Sequence, residues 1–96
     1  MNERRKDKRA IVDLPITVKI GKRQLAGTTL NVSFHGLSVK LSETPPIRQL
    51  VNIDLNLPSG KPFTAHAMVV HGNEGAVGLE FFGRTSHPEW DEFVQA

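Results

Sequence analysis

From Ile11 onward apolar and polar residues alternate: Val12, Leu14, Ile16, Val18 and Ile20 are apolar, with Asp13, Pro15, Thr17 and Lys19 between them. A period of two predicts a half-buried strand over about Ile11 to Ile20. Pro15 falls on its outward face and has no N–H, so an unpaired edge or a bulge is expected nearby. Gly21-Lys22-Arg23 reads as a turn, followed by a second strand over about Gln24 to Val32 that carries Ala26, Thr28 and Thr29. The pattern breaks over Ser33 to Gly36 and resumes at Leu37, Val39 and Leu41, which makes a strand, turn, strand unit. After a loop over Ser42 to Pro46, Val51, Ile53, Leu55 and Leu57 give a fourth strand that ends at Pro58-Ser59-Gly60. A fifth runs from about Phe63 to His71, Gly72 to Gly75 reads as a turn, and Val77, Leu79 and Phe81 mark a sixth. Six short strands with turns between them predict a small antiparallel barrel or sandwich.

The C-terminal segment has a different period. Ser86 with Glu89 three residues later has the form of a capping box, Pro88 suits a first turn, and Trp90, Phe93 and Val94 share one helical face. A short helix over 86–96 is predicted. Its aromatic stripe is expected to be buried as a plug of the barrel, because burial is the common fate of apolar residues at this spacing.

A length of 96 residues with 39% hydrophobic residues fits one domain with a compact core, but leaves no room for a large buried catalytic cavity. The expected division is a flexible basic arm over 1–10, a barrel over 11–83 and the helix over 86–96. No apolar stretch reaches the roughly 20 residues of a membrane span, and no apolar run follows the N-terminal charges. A cytoplasmic location is the expectation. The absence of cysteine excludes disulfides and thiolate chemistry. The net charge of +2 conceals an asymmetry: Glu3 to Arg9 holds five basic and two acidic residues, whereas Glu89, Asp91 and Glu92 lie near the other end. A positive cluster of this kind suits a compact anionic partner.

Two groups of residues can carry chemistry. Arg5 and Arg9 lie four apart just before the first strand. Arginine presents a planar fork of donors that matches the O6/N7 edge of guanine, stacks on a base or pairs with phosphate. The second group is the turn Asn31-Val32-Ser33-Phe34-His35-Gly36. Asn31 can read a base edge, Ser33 can donate to phosphate or ribose, and Gly36 allows a positive φ or close backbone approach. The competing structural role is that Asn31 and Ser33 cap their own turn. Catalysis is disfavoured, because Ser33 and His35 share one turn with no acid placed to orient the histidine. No metal is expected: His66 and His71 are the nearest pair, and an odd gap of five places them on opposite faces of a strand. A nucleic-acid-binding barrel with a basic arm is the alternative class. It is disfavoured by an aromatic content of 6% and the absence of tyrosine.

The basic Arg5-Lys6-Asp7-Lys8-Arg9, then a strand, then a strand ending in Asn31-Val32-Ser33-Phe34-His35-Gly36, then alternating strands closed by Gly78-Leu79-Glu80-Phe81, strongly resemble the PilZ domain family, whose hallmark is RxxxR followed by (D/N)xSxxG. The resemblance covers about residues 4 to 82. It implies a mainly β fold, a six-stranded antiparallel barrel with a short C-terminal helix, in a bacterial cyclic di-GMP receptor or adaptor that is not an enzyme and needs no cofactor. On that pattern Arg5 and Arg9 would grip guanine and phosphate, Asn31 a guanine edge and Ser33 the phosphate, while Gly36 keeps the turn open. Asn31 stands where many members have aspartate, which removes a charge from the site. Arg4, directly before the motif, implies that a second stacked ligand molecule is accommodated, so one or two molecules per chain are expected. The partners implied are cyclic di-GMP and an effector protein; a PilZ-like adaptor that needs no ligand is a further alternative.

Overall fold

The computed structural model describes residues 9–11, 13–73, 75–82 and 88–95, with 9–11 and 95 described by their backbone alone. In chain order the elements are β1 (Arg9–Ile11), β2 (Pro15–Ile20), β3 (Arg23–Ser33), β4 (Gly36–Leu41), β5 (Leu50–Asn56), β6 (Pro62–Asn73), β7 (Ala76–Phe81) and α1 (Pro88–Gln95). Every neighbouring pair is antiparallel, and the ring β2-β3-β4-β7-β6-β5 closes where β5 pairs with β2. The fold is therefore a six-stranded antiparallel barrel with one short C-terminal helix, which decides between the barrel and the sandwich that the alternation left open. Closure pairs each of the six barrel strands on both sides, while β1 pairs with β3 alone.

Three local features differ from the sequence reading. The first predicted strand is broken into β1 and β2, which follow one another along the same side of β3: β2 pairs with Arg23 to Thr28, and β1 with Asn31 to Ser33. The break is the irregularity expected near Pro15. At the gap the Leu14 N–H donates to Thr29 Oγ1 at 2.9 Å, and the Thr29 N–H donates to the Leu14 carbonyl at 2.8 Å. Thr29, the one buried polar side chain among the described residues, thus substitutes for a backbone acceptor. Secondly, the arm predicted over 1–10 gives Arg9 and Ala10 to β1; residues 1–8 lie outside the described residues. Thirdly, the turn read over Gly72 to Gly75 is narrower, because β6 continues through Asn73, with Gly72 and Asn73 paired to Val77 and Ala76, and Gly75 is the described turn residue, at a φ of 88°. The predicted helix is present from Pro88, with Glu89 and Asp91 in its first turn, where the positive end of the helix dipole favours them. Ser86 of the capping box lies outside the described residues.

The core follows the alternation. On β5, Val51, Ile53 and Leu55 face inward, and on β6, Phe63, Ala65, Ala67 and Val69 do so. The helix closes the barrel with Trp90 and Val94, both fully buried. The Trp90 indole stacks on Phe63 at 4.9 Å between centroids and meets Phe81 and Phe93 edge-on at 5.3 and 5.5 Å. Such contacts add about 0.5–1.5 kcal/mol per pair beyond burial. Its one polar atom is satisfied too, because Nε1–H donates to the Ser33 carbonyl at 2.7 Å.

Two substitutions test these joints. Thr29→Val leaves the Leu14 N–H without its acceptor, and should cost about 1–3 kcal/mol. Trp90→Phe removes the donor to Ser33 and should cost a similar amount. For a domain of this size about 1 kcal/mol lowers the Tm by roughly 4–8 °C, so thermal unfolding followed by circular dichroism reads both. An unchanged Tm for either variant would show that its hydrogen bond contributes nothing.

Candidate ligand groove

Strict alternation cannot account for β3. Leu25 and Val32 both face the core, seven residues apart, and an odd gap would place them on opposite faces. The contradiction is resolved by a register shift between Thr29 and Asn31, which leaves Leu30 unpaired and 36% exposed. A bulge of this kind re-aims the side chains beyond it. Without it Asn31 and Ser33 would point into the core; with it both stand on the outer wall of the barrel.

Registers then place the neighbours. Asn31 lies opposite Ser38, and Ser38 opposite Gly78. In the next row Ser33 lies opposite Gly36, and Gly36 opposite Glu80. On the other side of β3, Ile11 lies opposite Asn31 and Arg9 opposite Ser33. These rows bound a surface groove of about 410 Å³ whose lining includes Asn31, Ser33, Gly36, Ser38, His71, Gly78 and Glu80. Of the residues singled out in the sequence, Asn31, Ser33 and Gly36 therefore share one groove, and Arg9 is in register with Ser33. Arg4 and Arg5 lie outside the described residues, as does the side chain of Arg9.

The local roles can now be separated. If Asn31 and Ser33 existed to cap their turn, they would make short bonds to it. Ser33 Oγ reaches the Gly36 carbonyl only at 3.5 Å, and among the described residues the Asn31 amide has no hydrogen bond. The turn is held by other groups: the His35 carbonyl accepts the Phe81 N–H at 2.8 Å, and Phe34 packs against the core. The need for glycine at position 36 is close approach rather than a positive φ. A Cβ there would lie 2.0 Å from the Leu79 carbonyl oxygen, whereas glycines with positive φ occur at 21, 60 and 75. Behind the groove the Trp90 indole holds the carbonyl of Ser33, so the helix is tied to a residue whose hydroxyl lies at the groove.

Sequence reasoning missed Ser38, Gly78, His71 and Glu80 as lining residues. They come from strands distant in the chain, and only barrel registers bring them together. The parity argument for the histidines is also corrected: a second register shift, between Val69 and His71, puts His66 and His71 both on the outer wall. They line separate depressions. His66 bonds Asn52, and the nearby Lys19 pairs with Asp54 at 3.1 Å, so that wall has its polar groups engaged with one another. The described residues contain no group of three potential metal ligands.

Comparison with known proteins bears on this barrel. Its sequence matches the family model of the PilZ domain over residues 3–94. A search of curated proteins finds no match. Among solved structures, the PilZ domain of CeSA from a cellulose-synthesizing bacterium superposes with a TM-score of 0.69 at 19% identity, over 91% of this chain and 90% of that one. The inhibitor of motility MotI/DgrA of Bacillus subtilis superposes with a TM-score of 0.78 at 16% identity, covering 98% of this chain and 49% of that one, so this chain spans about half its length. At these identities the likeness is one of fold. The match over residues 3–94 carries the assignment: the chain belongs to the PilZ domain family.

Proposed function

We propose that the chain is a cyclic di-GMP receptor that holds the dinucleotide in the groove over β3, β4 and β7, with Arg5 and Arg9 as its clamps and Asn31 and Ser33 as its readers. PilZ domains are regulatory binding domains rather than enzymes, so a ligand rather than a substrate is the natural occupant. The observation that carries the reading is the register of Arg9 with Ser33, which brings one end of the arginine motif alongside the other motif half. The Asn31 amide, unengaged among the described residues, supports a role toward a guanine edge. Gly36 supports it differently, since the absence of a side chain there leaves the groove floor low.

The ligand's two phosphates would offset the repulsion among Arg4, Arg5, Lys6, Lys8 and Arg9, favouring one placement of the arm across the groove. Ser33 offers a route outward from the site. Its hydroxyl faces the groove while its carbonyl accepts from Trp90, so a change at one is felt at the other through a single residue. The readout we assign is a surface recognised by an effector protein in the cytoplasm. Among the described residues no helix is long and apolar enough to cross a membrane.

Titration calorimetry with cyclic di-GMP, beside cyclic di-AMP and GTP, checks the assignment. Arg5→Ala and Arg9→Ala should each weaken binding by about 2–5 kcal/mol, at least tens-fold, with Ser33→Ala milder. The Tm of the free arginine variants should stay near that of the parent. If Arg4 serves a second stacked ligand, saturation comes at two molecules per chain; saturation at one removes that role. A parent protein that binds none of the three nucleotides overturns the receptor reading, and arginine variants that bind like the parent overturn the site.

A further inference from the structure

The second bulge has no part in the motif. Along β6, Phe63, Ala65, Ala67 and Val69 face the core, and unbroken alternation would carry His71 inward after them. The shift between Val69 and His71 turns the imidazole to the outer wall instead, opposite Gly78. The bulge at Leu30 does the same for Asn31. Both irregularities deliver their residues to one row, Asn31-Ser38-Gly78-His71, which crosses four strands. At a strand spacing of about 4.8 Å, its ends lie roughly 14 Å apart.

Between those ends stand a serine hydroxyl and a glycine over which the imidazole lies, so the row is a trough with an amide at one end and the ring, reaching over Gly78, at the other. The fit at the far end is close. A Cβ on Gly78 would lie 2.2 Å from His71 Nε2, so the ring occupies space that only glycine leaves open. Among the described residues no hydrogen bond engages the imidazole. An imidazole carries at least one N–H in either protonation state, and so always offers a donor.

We infer that His71 is a ligand-binding residue that closes the far end of the groove by donating a hydrogen bond to the O6/N7 edge of a guanine base. This rests on the receptor reading above and adds a base-selective contact outside both motif halves. Its chemistry is directional at position 6: both purines present N7 as an acceptor, but guanine adds the O6 acceptor where adenine has an amino donor. A fixed donor there favours guanine. Glu80, on the same wall one row away, cannot supply that donor, because an ionised carboxylate only accepts.

The test is titration of the parent, His71→Ala and His71→Gln with cyclic di-GMP and cyclic di-AMP, with the Tm of each variant recorded. Loss of one hydrogen bond should weaken cyclic di-GMP binding by about tenfold in His71→Ala and narrow its preference over cyclic di-AMP, whereas the Gln amide should restore part of both. A purely structural role for the ring would lower the Tm without changing the preference. If the parent binds cyclic di-GMP and His71→Ala binds it equally well, or with the preference unchanged, the role of His71 is overturned while the receptor reading stands. Absence of binding by the parent overturns both.

Discussion

A β-strand delivers its side chains to alternate faces, and the outer wall of this barrel depends on where that alternation is interrupted. A six-stranded barrel must fill its interior with one face of every strand, so an unbroken strand has no freedom over what it shows to solvent. The shift at Leu30 releases Asn31 and Ser33 from the core, and the shift at Val70 releases His71. Each leaves an apolar residue, Leu30 at 36% and Val70 at 38%, partly exposed. Exposure of that size is a small cost beside burial of an asparagine or histidine without partners, which would exceed it.

The interior is completed by the helix rather than by the strands alone. Ala65 and Ala67 are small for inward-facing positions, and the volume of the barrel is made up by Trp90 with its ring of Phe63, Phe81 and Phe93. That arrangement makes helix docking and site geometry parts of one problem. The indole donor ends on the carbonyl of Ser33, the last residue of β3 and the start of the hairpin that contains Gly36. Gly36 in turn is pressed against the backbone of β7, which carries Gly78 and Glu80. The groove is thus bordered by strands whose positions the core fixes.

Glycine shapes the groove by omission. At 36 and at 78 the missing Cβ admits, respectively, the Leu79 carbonyl and the His71 ring. Neither position has a positive φ, so conformational freedom is not the reason for glycine at either one. Packing contact alone demands it. The opposite wall, where Lys19 meets Asp54 and His66 meets Asn52, has longer side chains that pair with each other and leave fewer groups for a ligand.

The sequence by itself determined the number and order of the barrel strands, the C-terminal helix with its buried tryptophan, and the two motif halves. These are properties of nearest neighbours along the chain: period two, period 3.6, turn residues and short spacings. The tertiary structure alone decided which residues share the groove. Ser38, Gly78, His71 and Glu80 are separated from Asn31 by strands whose register is a property of pairs, and a one-residue shift reverses every face beyond it. Neither bulge has a local signature, since Leu30 and Val70 read as ordinary strand residues. For the same reason parity counted along the chain placed His66 and His71 on opposite faces, whereas the paired strand places them on one. The break at Leu14 was half legible, because Pro15 announced an irregularity, but its resolution by the Thr29 hydroxyl depends on a contact 15 residues away in sequence. Local periodicity specified the strands; the fit of six strands around one filled core specified what they present.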